Sequence, residues 1–378
     1  MTHIPYGRQC IDEEDVRAVI DVLHSEWLTT GPKVDEFERS IGDYCGCKYA
    51  VAVNSGTSAL DIAIQSLDLP KGTEVITTPF TFAATSNALL YNGLVPVYAD
   101  ISRDTRNIDP KDIRRKITGK TRAILFVDYA GQPCEITELR EICCEYDLFM
   151  IEDACHALGA AFKGKKIGSL SDMTIFSFHP VKLITSGEGG MVTTNDSRLA
   201  DTLRQLRSHG IDKTAHHLSE TGAPWAYDMI TLGKNYRITD IQAALGVSQA
   251  KKIDLFVQKR TRLSQLYHEL LQDIPQIGLP MTRENVTHAW HLYTILLKGK
   301  RDAVFTALKS HNIGVNLHYI PTYHFSYYLK FHPQDFSRYP VTEEVFHQVL
   351  TLPLYPELRE EDIQFIAETL KKEIHRFS

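Results

Sequence analysis

The sequence predicts an α/β protein in which a large, mostly parallel sheet covered by helices is followed by a smaller α+β unit. Three observations predict it. From about residue 49 to 195, short apolar or β-branched runs alternate with helix-like segments. Several of those runs are apolar throughout, the mark of strands buried on both faces. Beyond about residue 250 the rhythm changes to one long helical segment, a lone apolar run and further helices.

Taken in order, Val16, Val19, Ile20 and Leu23 recur at helical spacing behind an acidic run suited to the positive end of a helix dipole. The stretch WLTTGPKV breaks that period with Gly31 and Pro32 and reads as an exposed loop. Strands are expected at YAVAV (49–53), EVITT (74–78), LVPVYAD (94–100), AILFVD (123–128), FMIED (149–153) and TIFSF (174–178). The segment from Asp212 to Gly233 has no apolar period and is expected to be a long functional loop or hairpin. A helical segment then ends near Leu271, and HLYTILL (291–297) reads as a strand. The expected division is 1–250 for the large domain with its N-terminal segment and 251–378 for the small one.

A chain of 378 residues with 43% hydrophobic and 23% charged residues can bury a large core, which excludes overall disorder. The net charge of −6 gives no basis for tracking a polyanion, so no nucleic-acid partner is expected. Neither a secretory leader nor a membrane-spanning run is visible. Seven cysteines, an odd number, fit a reducing cytoplasm better than a disulfide framework.

Three motifs stand at strand ends, where open α/β sheets place their ligands. Asn54-Ser55-Gly56-Thr57-Ser58 joins a strand to a helix. Its glycine and free N–H groups suit a phosphate, although an ordinary capped turn has the same look. Asp153, in Glu152-Asp153-Ala154-Cys155-His156, ends an apolar strand; if buried it needs a cationic companion, and standing alone it would more often cap a helix. Lys182 lies in Phe176-Ser177-Phe178-His179-Pro180-Val181-Lys182, ahead of the glycines of Ser186-Gly187-Glu188-Gly189-Gly190. Most lysines are solvated surface groups, but these neighbours are not those of a polar surface, and desolvation makes an amine nucleophilic toward carbonyls. A carboxylate, an activated lysine and a phosphate cradle are the parts that pyridoxal phosphate (PLP) requires. His216-His217 and the His288/His291 pair lack further ligands at metal-binding spacing, so no metal site is expected. Dinucleotide and P-loop glycine patterns are missing from the strand-to-helix junctions.

With those residues in hand, the chain resembles the DegT/DnrJ/EryC1/StrS aminotransferases, which have the fold type I PLP-dependent transferase fold. The resemblance rests on NSGTSAL (54–60), TPFTFAATSNA (78–88), EDACHALGA (152–160), FSFHPVKLITSGEGGMV (176–192), RSHG (207–210) and NYRITDIQAALG (235–246). It implies that Lys182 forms the imine with PLP and then shuttles the proton. It implies that Asp153 pairs with the pyridine nitrogen, that His156 and Phe82 cover the two ring faces, and that Gly56, Thr57 and Ser177 bind the phosphate. Asn235 would join them from a second subunit, delivered by the loop from Asp212 to Gly233, so the active unit would be a homodimer with a shared site.

Within the family the likeness is greatest to the transaminases of pseudaminic acid synthesis, through Tyr6, Leu28-Thr29, VDYAG (127–131), His156, RSHG and HYIPTYHFSYY (318–328). That likeness implies transfer of an amino group from glutamate to the C4 keto group of a UDP-linked 4-keto-6-deoxy sugar. It places Tyr6, Glu26, Trp27, Leu28, Thr29, Leu317, His318, Tyr319, Ile320 and Tyr323 at the sugar-nucleotide site, with Gly56, Ser177 and Asn235 also contributing. Arg237 is a candidate for the donor carboxylate. An aromatic packing role for 318–328, another keto sugar, a dehydratase and a non-catalytic binding protein are the competing readings; Lys182 speaks against the dehydratase, whose relatives carry histidine there.

Overall fold

Seven strands whose residues are almost all buried form the central sheet: β1 (Tyr49–Val53), β2 (Glu74–Thr77), β3 (Val95–Tyr98), β4 (Thr121–Val127), β5 (Phe149–Asp153), β6 (Met173–Ser177) and β7 (Gly190–Thr194). The structure is a computed structural model and describes residues 3–212 and 225–377. The spatial order is β1-β7-β6-β5-β4-β2-β3. Neighbours from β3 to β6 run parallel, whereas β7 runs antiparallel to both β6 and β1. Residues 178–189 hold no helix, and so short a connection cannot carry a crossover, which forces β7 to return antiparallel. That return segment is the one that holds Lys182.

Two helices precede the sheet. In α1 (Glu13–Leu23) the Asp12 side chain accepts from the Glu14 and Asp15 N–H groups, and Asp15 reciprocates at the Asp12 N–H. The expected apolar face of this helix does not enter the core: Val16, Ile20 and Leu23 are 42–53% exposed, while Val22 and Asp15 are buried. Asp15 turns inward because Lys252 (3.0 Å) and Gln249 (2.7 Å) meet it there. The expected loop at WLTTGPKV ends sooner than its glycine and proline suggested, since Pro32 opens α2 (Pro32–Cys45) at the first-turn position that tolerates proline. Gly31 offers that helix no side-chain cap; the carboxylate of Asp240 accepts instead from Gly31 N–H (2.7 Å) and Lys33 N–H (2.9 Å).

Behind the sheet, the helix Ile253–Leu271 joins two apolar clusters. Its Ile253, Phe256 and Val257 pack with the core around the sheet, and its Leu263, Tyr267 and Leu271 pack with a second core. A three-stranded antiparallel sheet, Ile277–Gly278, Tyr293–Leu297 and Val349–Leu352, supplies Tyr293, Ile295, Leu350 and Leu352 to that second core. The N-terminal segment reaches it too, through Ile4 N–H to Asn312 O (3.0 Å) and Gly314 N–H to Ile4 O (2.7 Å). Tyr6 is thereby held beside residues 316–320. Of the segment from Asp212 to Gly233, residues 213–224, with His216 and His217, lie outside the described residues. Its described base is a short antiparallel pairing of Ile211–Asp212 with Asp228–Met229. No described helix is long and apolar enough to cross a membrane.

Candidate active site

A cleft of about 910 Å³ opens where the C-terminal ends of β1, β5 and β6 meet residues 316–320 of the second unit. Twelve of the expected residues line it: Tyr6, Gly56, Thr57, Phe82, Asp153, His156, Ser177, Lys182, Leu317, His318, Tyr319 and Ile320.

At one end, the helix α3 (Gly56–Gln65) begins directly after β1. Ser55 caps it by accepting from Ser58 N–H (3.0 Å), so the first two N–H groups, of Gly56 and Thr57, remain unsatisfied within the helix and face the cleft. Ser177, at the end of β6, closes on them. A Cβ at Gly56 would stand 2.8 Å from that of Ser177, and one at Gly190 would stand 2.2 Å from Ser55 O. Only glycine allows the three segments to converge, and the result is an anion cradle at a helix N-terminus.

Asp153 ends β5 and is 4% exposed. Its Oδ2 accepts from the Thr85 hydroxyl (2.7 Å) and its Oδ1 from Cys155 N–H (3.2 Å). Thr85 lies in the helix α4 (Ala83–Tyr91), and its hydroxyl pairs with that of Thr81 (2.9 Å). The carboxylate therefore has a fixed orientation toward the cleft.

Lys182 projects from the return segment, whose base is closed by Phe178 N–H to Gly189 O (2.9 Å) and Ser186 N–H to Phe178 O (3.0 Å). The amine opens on the cleft but is otherwise walled by protein. That burial pulls its pKa below the ordinary lysine value, while the charge of Asp153 opposes the shift. No described carboxylate pairs with it, which leaves it available to a carbonyl.

His156 follows Asp153 by three residues and is 5% exposed. Its Nδ1 accepts from Ala130 N–H (3.2 Å), so in the neutral ring the proton sits on Nε2, 2.9 Å from the Tyr319 hydroxyl. Burial, then the charge of Lys182, holds its pKa well below the usual histidine value and keeps the ring neutral. Tyr319 lies nearly parallel to it at 5.9 Å, and Phe82 stands 6.3 Å from Tyr319 at the mouth. His291 packs against His156 at 4.4 Å, tilted by 45°.

Behind this wall Asp128 and Glu152 are buried side by side. Asp128 Oδ1 accepts from Cys134 N–H (2.8 Å), and Glu152 Oε2 accepts from Thr174 (2.8 Å) and Ser171 (3.1 Å). The remaining oxygens, Asp128 Oδ2 and Glu152 Oε1, have no other partner. Burial, with Glu152's charge acting on Asp128, raises the pKa of Asp128 well above the carboxyl range, and burial raises that of Glu152. Asp128 opens the turn Tyr129–Gly131 that presents Ala130 N–H to His156 and sends the Tyr129 hydroxyl to His318 O (2.5 Å).

Seven expected residues, counting Arg237, lie outside this cleft. Tyr323 is a correction: it is fully buried, packed against Tyr339 (5.1 Å) and Tyr98 (5.9 Å), with its hydroxyl donated to Glu343 (2.7 Å). The aromatic stretch thus splits, with Leu317–Ile320 at the cleft and Tyr323 and Tyr328 in packing. Glu26, Trp27, Leu28 and Thr29 occupy an exposed turn, and Asn235 is exposed beside Ser208. Trp27 lines a separate surface pocket with Arg204, Arg207 and Arg237, and Arg237 donates to the Ser208 hydroxyl (3.2 Å) instead of reaching the chain's own cleft. Thr81, Thr85 and His291 went unrecognised as site residues, although the spacing of Thr81 and Thr85 across a helix start was visible in TPFTFAATSNA.

Residues 9–371 match the DegT/DnrJ/EryC1/StrS aminotransferase family. A UDP-4-amino-4,6-dideoxy-N-acetyl-beta-L-altrosamine transaminase of Campylobacter jejuni is 38% identical over 97% of this chain and 96% of that protein. Helicobacter pylori PseC, described as an aminotransferase involved in the biosynthesis of pseudoaminic acid, superposes with a TM-score of 0.93 at 33% identity over the whole of both chains. Spr1654 of Streptococcus pneumoniae, solved in a PLP form, gives 0.92 at 29% identity, again over the whole of both chains. The cradle, the oriented carboxylate and the unpaired lysine fit that cofactor. The chain belongs to the DegT/DnrJ/EryC1/StrS aminotransferase family and is a PLP-dependent aminotransferase with the fold type I architecture.

Proposed function

We propose that this enzyme transfers an amino group from glutamate to the C4 keto group of a nucleotide-linked 4-keto-6-deoxy sugar, a UDP-linked N-acetyl sugar of the pseudaminic acid type. The observation that carries this reading is a single cleft holding Lys182, Asp153 and the Gly56–Thr57 cradle, with Tyr6 and Leu317–Ile320 along its rim. At about 910 Å³ it lies at the large end of small-molecule sites, with room for a cofactor and the sugar end of a nucleotide sugar. The C. jejuni and H. pylori relatives support the substrate class.

PLP supplies the aldehyde that accepts the amino group and the ring that withdraws electrons from the reacting carbon. The chain supplies the rest. Asp153 holds the ring nitrogen protonated, its orientation set by Thr85 and Cys155 N–H. Gly56, Thr57 and Ser177 anchor the phosphate. His156, kept neutral and pinned by Ala130 and Tyr319, covers one ring face, and Phe82 covers the other. Lys182 removes the proton from the donor α-carbon in one half-reaction and delivers one to the sugar carbon in the other, a task suited to an amine whose pKa burial has brought down.

The site is proposed to be shared within a homodimer. Trp27, Leu28, Trp225, Met229 and Leu232 are 49–76% exposed, and large apolar side chains left in water support a covering partner. In a symmetric pair, Glu26–Thr29 and Asn235 would complete the partner's cleft, with Arg237 near the donor carboxylate. Seven free cysteines are compatible with a cytoplasmic enzyme. Incubating the protein with glutamate, PLP and a panel of UDP- and dTDP-linked keto sugars, and identifying the amino product, tests the assignment. A C4-aminated UDP sugar is the expected product; amination of only dTDP-linked or C3 keto sugars contradicts it.

A further inference from the structure

A second cavity, which shares no lining residue with the cleft, lies where the segment after β3 meets the three-stranded sheet. It has a volume of about 150 Å³, and its polar wall consists of Arg103, Asp104, Arg106, Lys298 and Gln348. Arg106 is 4% exposed, yet its guanidinium makes no hydrogen bond or ion pair to any described residue, and its Nε is buried without a partner. Asp104 acts on it from beyond ion-pair distance, and the phenols of Tyr129 and Tyr293 lie near it. Gln348 Oε1 is a second buried atom without a partner, while its amide donates to Glu344 (3.3 Å). Glu344 is itself engaged by Arg103. The side chain of Lys298, at the exposed mouth, has no described partner.

A guanidinium does not shed its proton in a protein, so burial cannot neutralise Arg106 as it can a lysine or histidine. A buried cation without a counter-charge is strongly unfavourable, and the usual remedy is an anion matched to the planar fork. With Arg103 paired to Glu344, the two remaining cations, Arg106 and Lys298, face one carboxylate, Asp104, and leave the wall positive. The volume holds on the order of five waters, which admits one phosphate group with a water or two and excludes a nucleotide.

We propose that this cavity binds a phosphate-type oxyanion, with Arg106 as its central ligand and Lys298 at its mouth. The anion is inorganic phosphate or the terminal phosphate of a small metabolite.

Calorimetric titration of the PLP-loaded enzyme with sodium phosphate, at constant ionic strength, tests this against Arg106→Gln and Lys298→Ala. Because bound PLP fills the helix cradle, that site does not contribute. The wild type is expected to bind phosphate in a step that Arg106→Gln abolishes and Lys298→Ala weakens by roughly threefold to tenfold. Crystals soaked in selenate are expected to show an anomalous peak within hydrogen-bond distance of the Arg106 guanidinium. Should Arg106→Gln fail to fold, the exposed Lys298→Ala and the anomalous peak decide the matter. Equal phosphate binding by wild type and variants, no peak in the cavity, or a peak without binding in solution (an adventitious ion only) overturns the proposal. Binding of acetate but not phosphate overturns it as well. Glycerol 3-phosphate binding more tightly than inorganic phosphate assigns the site to a phosphorylated metabolite, and the reverse order assigns it to the free ion.

Discussion

The hydroxyl of Thr85 stands 2.7 Å from Asp153 Oδ2, so the acid proposed to face the pyridine nitrogen is held from the first turn of a neighbouring helix. Thr85→Val keeps the shape and removes the donor. A hydrogen bond to a charged group contributes about 1.5–3 kcal/mol, so PLP affinity should fall about ten- to hundredfold with the fold intact. Absorbance titration of the apoenzyme with PLP, beside a far-ultraviolet circular dichroism spectrum, checks this.

Tyr319 accepts the Nε2 proton of His156 and thereby leaves its own proton free to donate into the cleft. In Tyr319→Phe the histidine loses its acceptor and the cleft loses a donor. Turnover should drop by about tenfold, the scale of one hydrogen bond, while bound PLP keeps its absorbance. An unchanged kcat with a raised KM would assign Tyr319 to substrate binding alone.

If Asn235 completes the partner's site, mixing Lys182→Ala and Asn235→Ala subunits restores activity. Each hybrid dimer then carries one site with both residues intact. Activity measured after unfolding and refolding the two inactive proteins together should rise well above that of either alone. No recovery, with hybrids present by mass spectrometry, contradicts a site shared through Asn235.

The raised pKa values of Asp128 and Glu152 make a pH prediction with a definite sign. Both pKa values are raised in the folded protein, so folding takes up a proton. The pair's contribution is fully present below the ordinary carboxyl range of about pH 4 and is lost as pH rises toward the raised values. Cys134, Cys45, Thr174, Ser171 and Arg140 also face the pair; the hydrogen bonds of Cys134 to Asp128 and of Thr174 and Ser171 to Glu152, and the charge of Arg140, oppose the shift without reversing it. In Asp128→Asn a neutral amide replaces the titrating acid, and the urea midpoint should fall less between about pH 5 and pH 8 than in wild type. Asp128→Ala, which leaves Glu152 unpartnered, should lose about 1–3 kcal/mol at low pH. Parallel slopes for wild type and Asp128→Asn contradict the raised pKa of Asp128.

What the sequence made legible follows from which properties are local. The apolar runs of β1, β4 and β5 announce themselves because burial on both faces leaves no polar alternation. The strand β7 escaped notice since its Gly190 and threonines lack that signature, and only the shortness of residues 178–189 betrays its direction. The helical period of α1 was readable, but which face it buries depends on Lys252 and Gln249, more than two hundred residues away. Lys182 and Asp153 could be picked out by their chemical surroundings. The support of His156 could not, because it rests on a backbone N–H of Ala130, held at positive φ in a turn remote in sequence. Tyr323 was placed wrongly for a related reason: an aromatic run looks alike whether it lines a cleft or fills a core.

The central claim is that Lys182 and Asp153 serve one cofactor in this cleft, and the crystal structure of the PLP-loaded enzyme measures it directly. It should show density continuous from Lys182 Nζ to PLP, an Asp153 oxygen within hydrogen-bond distance of the pyridine nitrogen, and the phosphate on the Gly56 and Thr57 N–H groups. PLP attached to a different lysine, or Asp153 beyond reach of the ring nitrogen, would contradict the account.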